Sequence, residues 1–211
     1  MGVVRLLLPS LPADLITRIR LFSNTLAIDN SSREWLNKFH NNTVSVVNHE
    51  YVACEEIAED VNKLYSAFFN ERIIPIVGIQ RNVTNVLSCT PPHYDSVRVT
   101  AINFVIDPGG DNVKTCFYDA TRKDQNLDKA QNFFYNQHKL VESCLLEQGK
   151  WYLFNPQQCH SVENIETTRI FLGLLLSESK FDFDSFKVRF KHLIESTHED
   201  INLRQHSLRA K

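Results

Sequence analysis

His93 and Asp95 stand two residues apart at the head of "PPHYDSVRVTAINFVID" (91–107), a run that alternates as a β-strand does. Side chains two apart on a strand point to the same side, so this pair can chelate one ion. Taken alone, the pair reads first as a surface histidine beside a turn aspartate. A second feature lies 67 residues further on, from 93 to 160. In "WYLFNPQQCHSVENIETTRIFLGLLL" (151–176) a strand leads through a polar turn to His160, and another strand opens with Arg169. Two histidines and one carboxylate at strand ends supply the face that binds iron(II) and leaves the opposite positions open to small molecules.

Other candidates carry less. Cys159 is a soft donor next to His160, but adjacent strand residues face opposite ways and a thiolate suits copper or zinc better, so it is read as core. His40, His49, His138, His192, His198 and His206 have no partner at ligand spacing. No G-x-G-x-x-G, G-K-[ST] or G-x-S-x-G occurs, which removes the common nucleotide-binding and serine-hydrolase readings.

The elements that must hold these residues are mostly strands. Residues 86–178 read as short strands broken by turns: "VRVTAINFVID", "DPGGDN", "VKTCFYD", "KLVESCLLE", "QGK", "WYLFN" and "TRIFLGLLL". Such a series predicts a closed or double-sheet all-β unit. The polar stretch 120–138 has no clean period and is expected to be a long loop over one mouth of that unit. Upstream, Leu15, Ile16, Ile19 and Phe22, then Ile57, Val61, Leu64 and Phe68, have helical spacing and predict two helices against a sheet. "TVSVV" (43–47) and "RIIPIVGIQ" (72–80) read as strands, with Pro75 implying an edge or a strand start and Gly78 a bulge. Downstream, Phe183, Phe186, Phe190, Leu193, Thr197 and Ile201 predict an amphipathic C-terminal helix capped by Asp182 or Ser185.

Composition agrees with one soluble domain spanning 1–211. It divides into an α/β support (1–85), an all-β core (86–178) and a terminal helix (179–211). The net charge of −2 offers no general attraction to phosphate backbones, so nucleic acid is not an expected partner. The apolar run in "MGVVRLLLPSLP" is short and interrupted by Arg5 and prolines, so neither a signal peptide nor a membrane span is expected. Five scattered cysteines without a C-x-x-C pair fit free thiols in the cytoplasm.

With these residues in place, the sequence resembles the iron(II)- and 2-oxoglutarate-dependent dioxygenases. Their signature is His-x-Asp, a distal His, and an Arg or Lys about nine to eleven residues later. His93, Asp95, His160 and Arg169 fit all four places. The resemblance spans roughly 86–178 and implies a mainly β fold with flanking helices around a double-stranded β-helix, the jelly-roll or cupin-like core. It implies Fe(II) on His93, Asp95 and His160, 2-oxoglutarate as cosubstrate, and hydroxylation of a C–H bond. Arg98 and Asn103 are similar to residues of the prolyl-hydroxylase-like and aspartyl/asparaginyl β-hydroxylase-like branches, which implies an amino-acid side chain, free or in a peptide or protein, as substrate.

If 2-oxoglutarate chelates the metal at one end, its other carboxylate is buried and needs a cation, a need that Arg169 would meet with a two-pronged guanidinium. Arg169, Phe171 and Gly173 share one strand face, expected to point inward. Asn103 and Arg98 are candidates for cosubstrate contact. Tyr94 and Ser161 are candidates for the substrate pocket, and Asn164 for orienting His160. A single arginine on this strand departs from the R-x5-R arrangement of the nucleic-acid dealkylating branch. Two other classes remain open: a cupin-like metalloenzyme that does not use 2-oxoglutarate, and a non-catalytic β-barrel binding protein.

Overall fold

A computed structural model describes residues 2–26, 45–46, 48–82, 88–95, 98–121, 139–177 and 181–195. Most of the 120–138 stretch lies outside these residues, as do Thr197 and Ile201, His40, His138, His198 and His206.

After strand β1 (Val3–Leu6) comes helix α1 (Ala13–Thr25), whose buried Leu15 and Ile19 form the expected apolar stripe. Strands β2 (Ser45–Val46) and β3 (Asn48–Ala53) follow, then α2 (Ala58–Phe69), which buries Val61, Tyr65 and Phe69 and ends on Asn70 in the left-handed conformation. The remaining strands are β4 (Ile73–Arg81), β5 (Ser88–His93), β6 (Ala101–Asp107), β7 (Lys114–Thr121), β8 (Leu140–Leu145), β9 (Trp151–Phe154), β10 (Gln158–Ile165) and β11 (Thr168–Leu176). Helix α3 (Phe183–Arg189) completes the series.

Among the described residues these strands form two sheets, one ordered β1-β9-β6-β11-β4-β3 and the other β2-β5-β10-β7-β8. From β4 to β11 the chain crosses between the two sheets, placing β4, β6, β9 and β11 in the larger and β5, β7, β8 and β10 in the smaller. This is the double-stranded β-helix, a jelly roll of eight strands.

Strand alternation divides the larger sheet. Ile102, Phe104, Ile106, Leu172 and Leu174 face the helices in one large core with Tyr65, Trp151, Phe186 and Ile19. Tyr65 and Trp151 meet edge to face at 5.0 Å, and both donate to the carbonyl of Pro9, so neither polar tip is buried unpaired. The opposite face, with Ala101 and Val105, meets Phe117, Tyr152 and Phe154 between the sheets.

Pro75 lies near the start of β4, past the end of the β3 pairing at Ile76, so it has one strand neighbour and holds the expected edge position. Two expectations change. Gly78 is not a bulge. Its register is continuous on both sides, and the glycine admits the Phe171 ring, which would lie 2.0 Å from an added Cβ. The C-terminal helix does not continue to 201: α3, capped by Asp182 accepting from the Ser185 N–H, stops at Phe190. A 3-10 turn and a bridge from Ile194 to Leu6 follow. Among the described residues no helix is long and apolar enough to cross a membrane.

Candidate metal centre

The pairing of β5 with β10 sets His93 directly opposite His160. The two imidazoles therefore lie side by side, with ring centroids 4.3 Å apart. Just past the end of β5, the Asp95 N–H bonds to the carbonyl of Pro156 in the β9–β10 turn, which swings its carboxylate toward both rings. Asp95 Oδ1 is 3.6 Å from His93 Nε2 and 3.8 Å from His160 Nε2. The three candidate donor atoms all fall within 4.8 Å of one another, close enough for one ion to draw them together.

The surroundings prepare two of the three donors. His160 Nδ1 is 2.9 Å from the carbonyl of Gln158, to which it donates, leaving the Nε2 lone pair for a metal. Asp95 offers only one oxygen to the centre. Its other oxygen accepts from Arg98 Nε at 2.9 Å and Nη2 at 2.6 Å. Arg98 is held by the Tyr51 hydroxyl at 3.3 Å and lies over that ring at 4.7 Å. Gln157 donates to the carbonyls of Asp95 and Arg98, fastening the connecting loop.

Burial alone would raise the Asp95 carboxyl, but the His93 contact and the charges of Arg98 and His160 outweigh it and hold the group well below the usual carboxylate range. Burial and the neighbouring His93 push His160 down to about 3. A histidine in an unfolded chain protonates near pH ~6.5, so between that value and about 3 the unfolded state binds the extra proton. Asp95 works in the same direction: its contribution is present above its unfolded value of about 3.9 and is lost as pH falls through its lower folded value. The metal-free protein is therefore expected to melt at progressively lower temperature as pH falls from about 7 to 4, and His160→Gln is expected to flatten that decline. Thermal melts across this range check it. Equal slopes in the two proteins would contradict the assignment.

The same pocket is lined by Arg169, 6% exposed. Its Nη1 donates to Gln80 Oε1 at 3.1 Å and its Nη2 to Thr115 Oγ1 at 3.4 Å. Gln80 is fixed in turn by donating to Thr90 Oγ1 at 3.0 Å. All these partners are neutral, and burial pushes the guanidinium down to about 10. Among the described residues no carboxylate neutralises it. Asn103 lines the pocket with a buried Oδ1 that has no hydrogen-bond partner among the described residues. It pairs with Gly173, where an added Cβ would approach Ile76 to 2.6 Å.

Arg98 also lines this pocket, where its guanidinium grips Asp95. The other sequence candidates fall elsewhere. Ser161 is on the opposite face of β10 from His160, bonded to Tyr118 and Glu163. Tyr94 packs against Cys116, Tyr118 and Cys159 outside the pocket lining. Asn164 has a positive φ of 61° and donates to the Asn112 carbonyl, so Gln158 and not Asn164 orients His160. Gln80, Thr115 and Tyr51 were missed, since a lone polar residue near a strand end gives no sign of a partner 89 positions away in the chain.

An octahedral metal with one oxygen and two imidazole donors fits the cluster, and a dicarboxylate fits the unneutralised Arg169 beyond it. No family model matches the chain, and no curated protein matches it. Among solved structures it is similar to AviO1 from Streptomyces viridochromogenes Tue57, at 12% identity over 86% of this chain and 92% of that one, with a TM-score of 0.45. It is also similar to the non-heme alpha ketoglutarate dependent epimerase SnoN from nogalamycin biosynthesis, at 14% identity over 82% and 77%, with a TM-score of 0.44. A Pseudomonas putida prolyl-4-hydroxylase aligns at 12% identity over 83% and 91%, with a TM-score of 0.40.

Proposed function

We propose that this chain is a non-haem iron(II)- and 2-oxoglutarate-dependent oxygenase that hydroxylates a C–H bond. The observation that carries the reading is Arg169. A buried guanidinium with neutral partners only is costly, and it shares one narrow pocket with the His93, Asp95 and His160 donors. A cupin-like metal site that does without 2-oxoglutarate has no use for this cation, and a metal-free binding protein has no use for the three donors.

When bound, iron and 2-oxoglutarate supply the oxidising chemistry, coupling decarboxylation of the cosubstrate to oxidation of a C–H bond. The chain's residues position and shield. His93, Asp95 and His160 would hold the metal. Arg98 occupies the second oxygen of Asp95 and leaves the first for it. Arg169, braced by Gln80 and Thr115, would take the remote carboxylate of the cosubstrate. The amide of Asn103 lines the same pocket. Phe117 and Phe171 wall the pocket and keep water from the charged groups. No nucleophile or general base from the protein is required.

Anaerobic titration with iron(II) and 2-oxoglutarate tests the reading. A weak visible charge-transfer band is expected when both are present and not with either alone. Absence of the band in the wild-type protein sinks the proposal.

A further inference from the structure

Arg98 takes up one oxygen of Asp95. Its Nε and Nη2 both end on Oδ2, at 2.9 Å and 2.6 Å, while Oδ1 is the oxygen that faces His93 and His160. A divalent ion on Oδ1 and the guanidinium on Oδ2 then flank one carboxylate and repel each other. Whatever keeps Arg98 in place against that repulsion decides how many oxygens Asp95 can offer.

Among the described residues the Arg98 side chain has one other partner, Tyr51. The guanidinium lies over the Tyr51 ring, 4.7 Å from its centre, and Nη2 donates to the hydroxyl at 3.3 Å. The face of an aromatic ring attracts a cation through its quadrupole, more strongly where water is excluded, and the Arg98 side chain is only 11% exposed. The ring carries no formal charge. It therefore holds the arginine without offering the metal a further ligand, whereas a carboxylate in its place would draw Arg98 off Asp95 and compete for the ion.

Tyr51 is itself fixed by a row of residues in register across three strands. Tyr51 on β3 pairs with Gly78 on β4, and Gly78 pairs with Phe171 on β11. With no side chain at 78, the Phe171 ring fills the space that a Cβ would need and meets Tyr51 edge to face at 5.6 Å. Tyr51, Arg98 and Phe171 all line the metal pocket. An edge strand of the larger sheet thus reaches a centre whose donors come from the smaller one.

Resting on the metal centre of the reading above, we propose that Tyr51 is a positioning residue that sets which metal the centre prefers. By holding Arg98 it withholds Oδ2 of Asp95, so the chain offers an ion one oxygen and two imidazoles. Oxygen-seeking ions such as manganese(II) and calcium gain most from a carboxylate with both oxygens free, whereas iron(II) gains more from imidazole nitrogen. The Tyr51–Arg98 pair therefore favours iron(II) over manganese(II) beyond the ordinary order of these two ions.

Iron(II) and manganese(II) are titrated separately by anaerobic calorimetry into the metal-free protein without 2-oxoglutarate, and the ratio of the two affinities is read. Tyr51→Leu is expected to narrow that ratio by about tenfold, the lower end of the ~10–100-fold effect of groups that orient a metal ligand. Tyr51→Phe, which keeps the ring beneath the guanidinium, is expected to retain most of it. Arg98→Met is expected to narrow the ratio as Tyr51→Leu does, and adding Tyr51→Leu to Arg98→Met to change it no further. A residue that only supported the fold would lower both affinities together and leave the ratio alone. An unchanged ratio in Tyr51→Leu, a ratio in Tyr51→Phe as narrow as in Tyr51→Leu, or a further loss on adding Tyr51→Leu to Arg98→Met each overturns the inference. Should Tyr51→Leu not fold, Arg98→Met decides, and an unchanged ratio there overturns it as well. A wild-type protein that binds both ions equally also overturns it, with the charge-transfer band left to judge the oxygenase reading. One that binds neither ion defeats the metal centre and this inference with it.

Discussion

Asp95→Asn is expected to bind iron(II) more weakly than the wild type by more than about a hundredfold, beyond the ~10–100-fold typical of groups that merely orient a ligand. Two losses combine. The carboxamide is neutral and a poorer metal donor than the carboxylate whose Oδ1 faces both His93 and His160. Its other end, where Asp95 now accepts from Arg98 at 2.6 Å, then presents no charge to a guanidinium that is 11% exposed. Breaking a mostly buried pair from one side costs on the order of 3 kcal/mol, so the metal-free variant is also expected to melt earlier. Iron titration in the presence of 2-oxoglutarate reads the first effect and a thermal melt the second. A variant with normal iron affinity would remove Asp95 from the centre.

Arg169→Met is expected to separate stability from cosubstrate binding. Arg169 is buried among neutral partners, and 2-oxoglutarate is the anion that would complete it. Removing one side of such a buried charge pair costs about 2–5 kcal/mol, which corresponds to roughly 30- to several-thousand-fold weaker 2-oxoglutarate binding. Iron binding should persist, because Arg169 bonds to Gln80 and Thr115 and is not one of the three donors. In the metal-free protein the sign reverses: an apolar chain of similar length replaces an unneutralised buried charge, so the melting temperature should stay level or rise. Equilibrium titration of 2-oxoglutarate against the iron-loaded protein, beside melts of the metal-free protein, checks both halves. A destabilised variant with unchanged 2-oxoglutarate affinity would make Arg169 a structural residue.

The part of the site that could be read from the chain is the part governed by local period. His93 and Asp95 sit two apart at a strand end, and Arg169, Phe171 and Gly173 alternate on β11, so a short window shows which side chains share a face. Helices α1 and α2 were legible for the same reason at period 3.6. Where the chain leaves regular geometry, that reasoning lapses. Arg98 lies between β5 and β6, outside either strand, so parity could not tell that it turns back onto Asp95. Ser161 was assigned by nearness in sequence to His160, and strand alternation sends it the other way, to Tyr118 and Glu163.

What the amino-acid sequence determined by itself is the inventory and its local order: two histidines, one aspartate and one arginine at strand ends, in a series of short strands that can close into two sheets. The tertiary structure alone decided which of those residues meet. The pairing of β5 with β10 sets His93 against His160, and the pairing of β4 with β11 sets Gln80 against Arg169. Both are contacts between strands far apart in the chain, fixed by burial of whole sheet faces and by register, and neither leaves a trace in the spacing of the residues that use it.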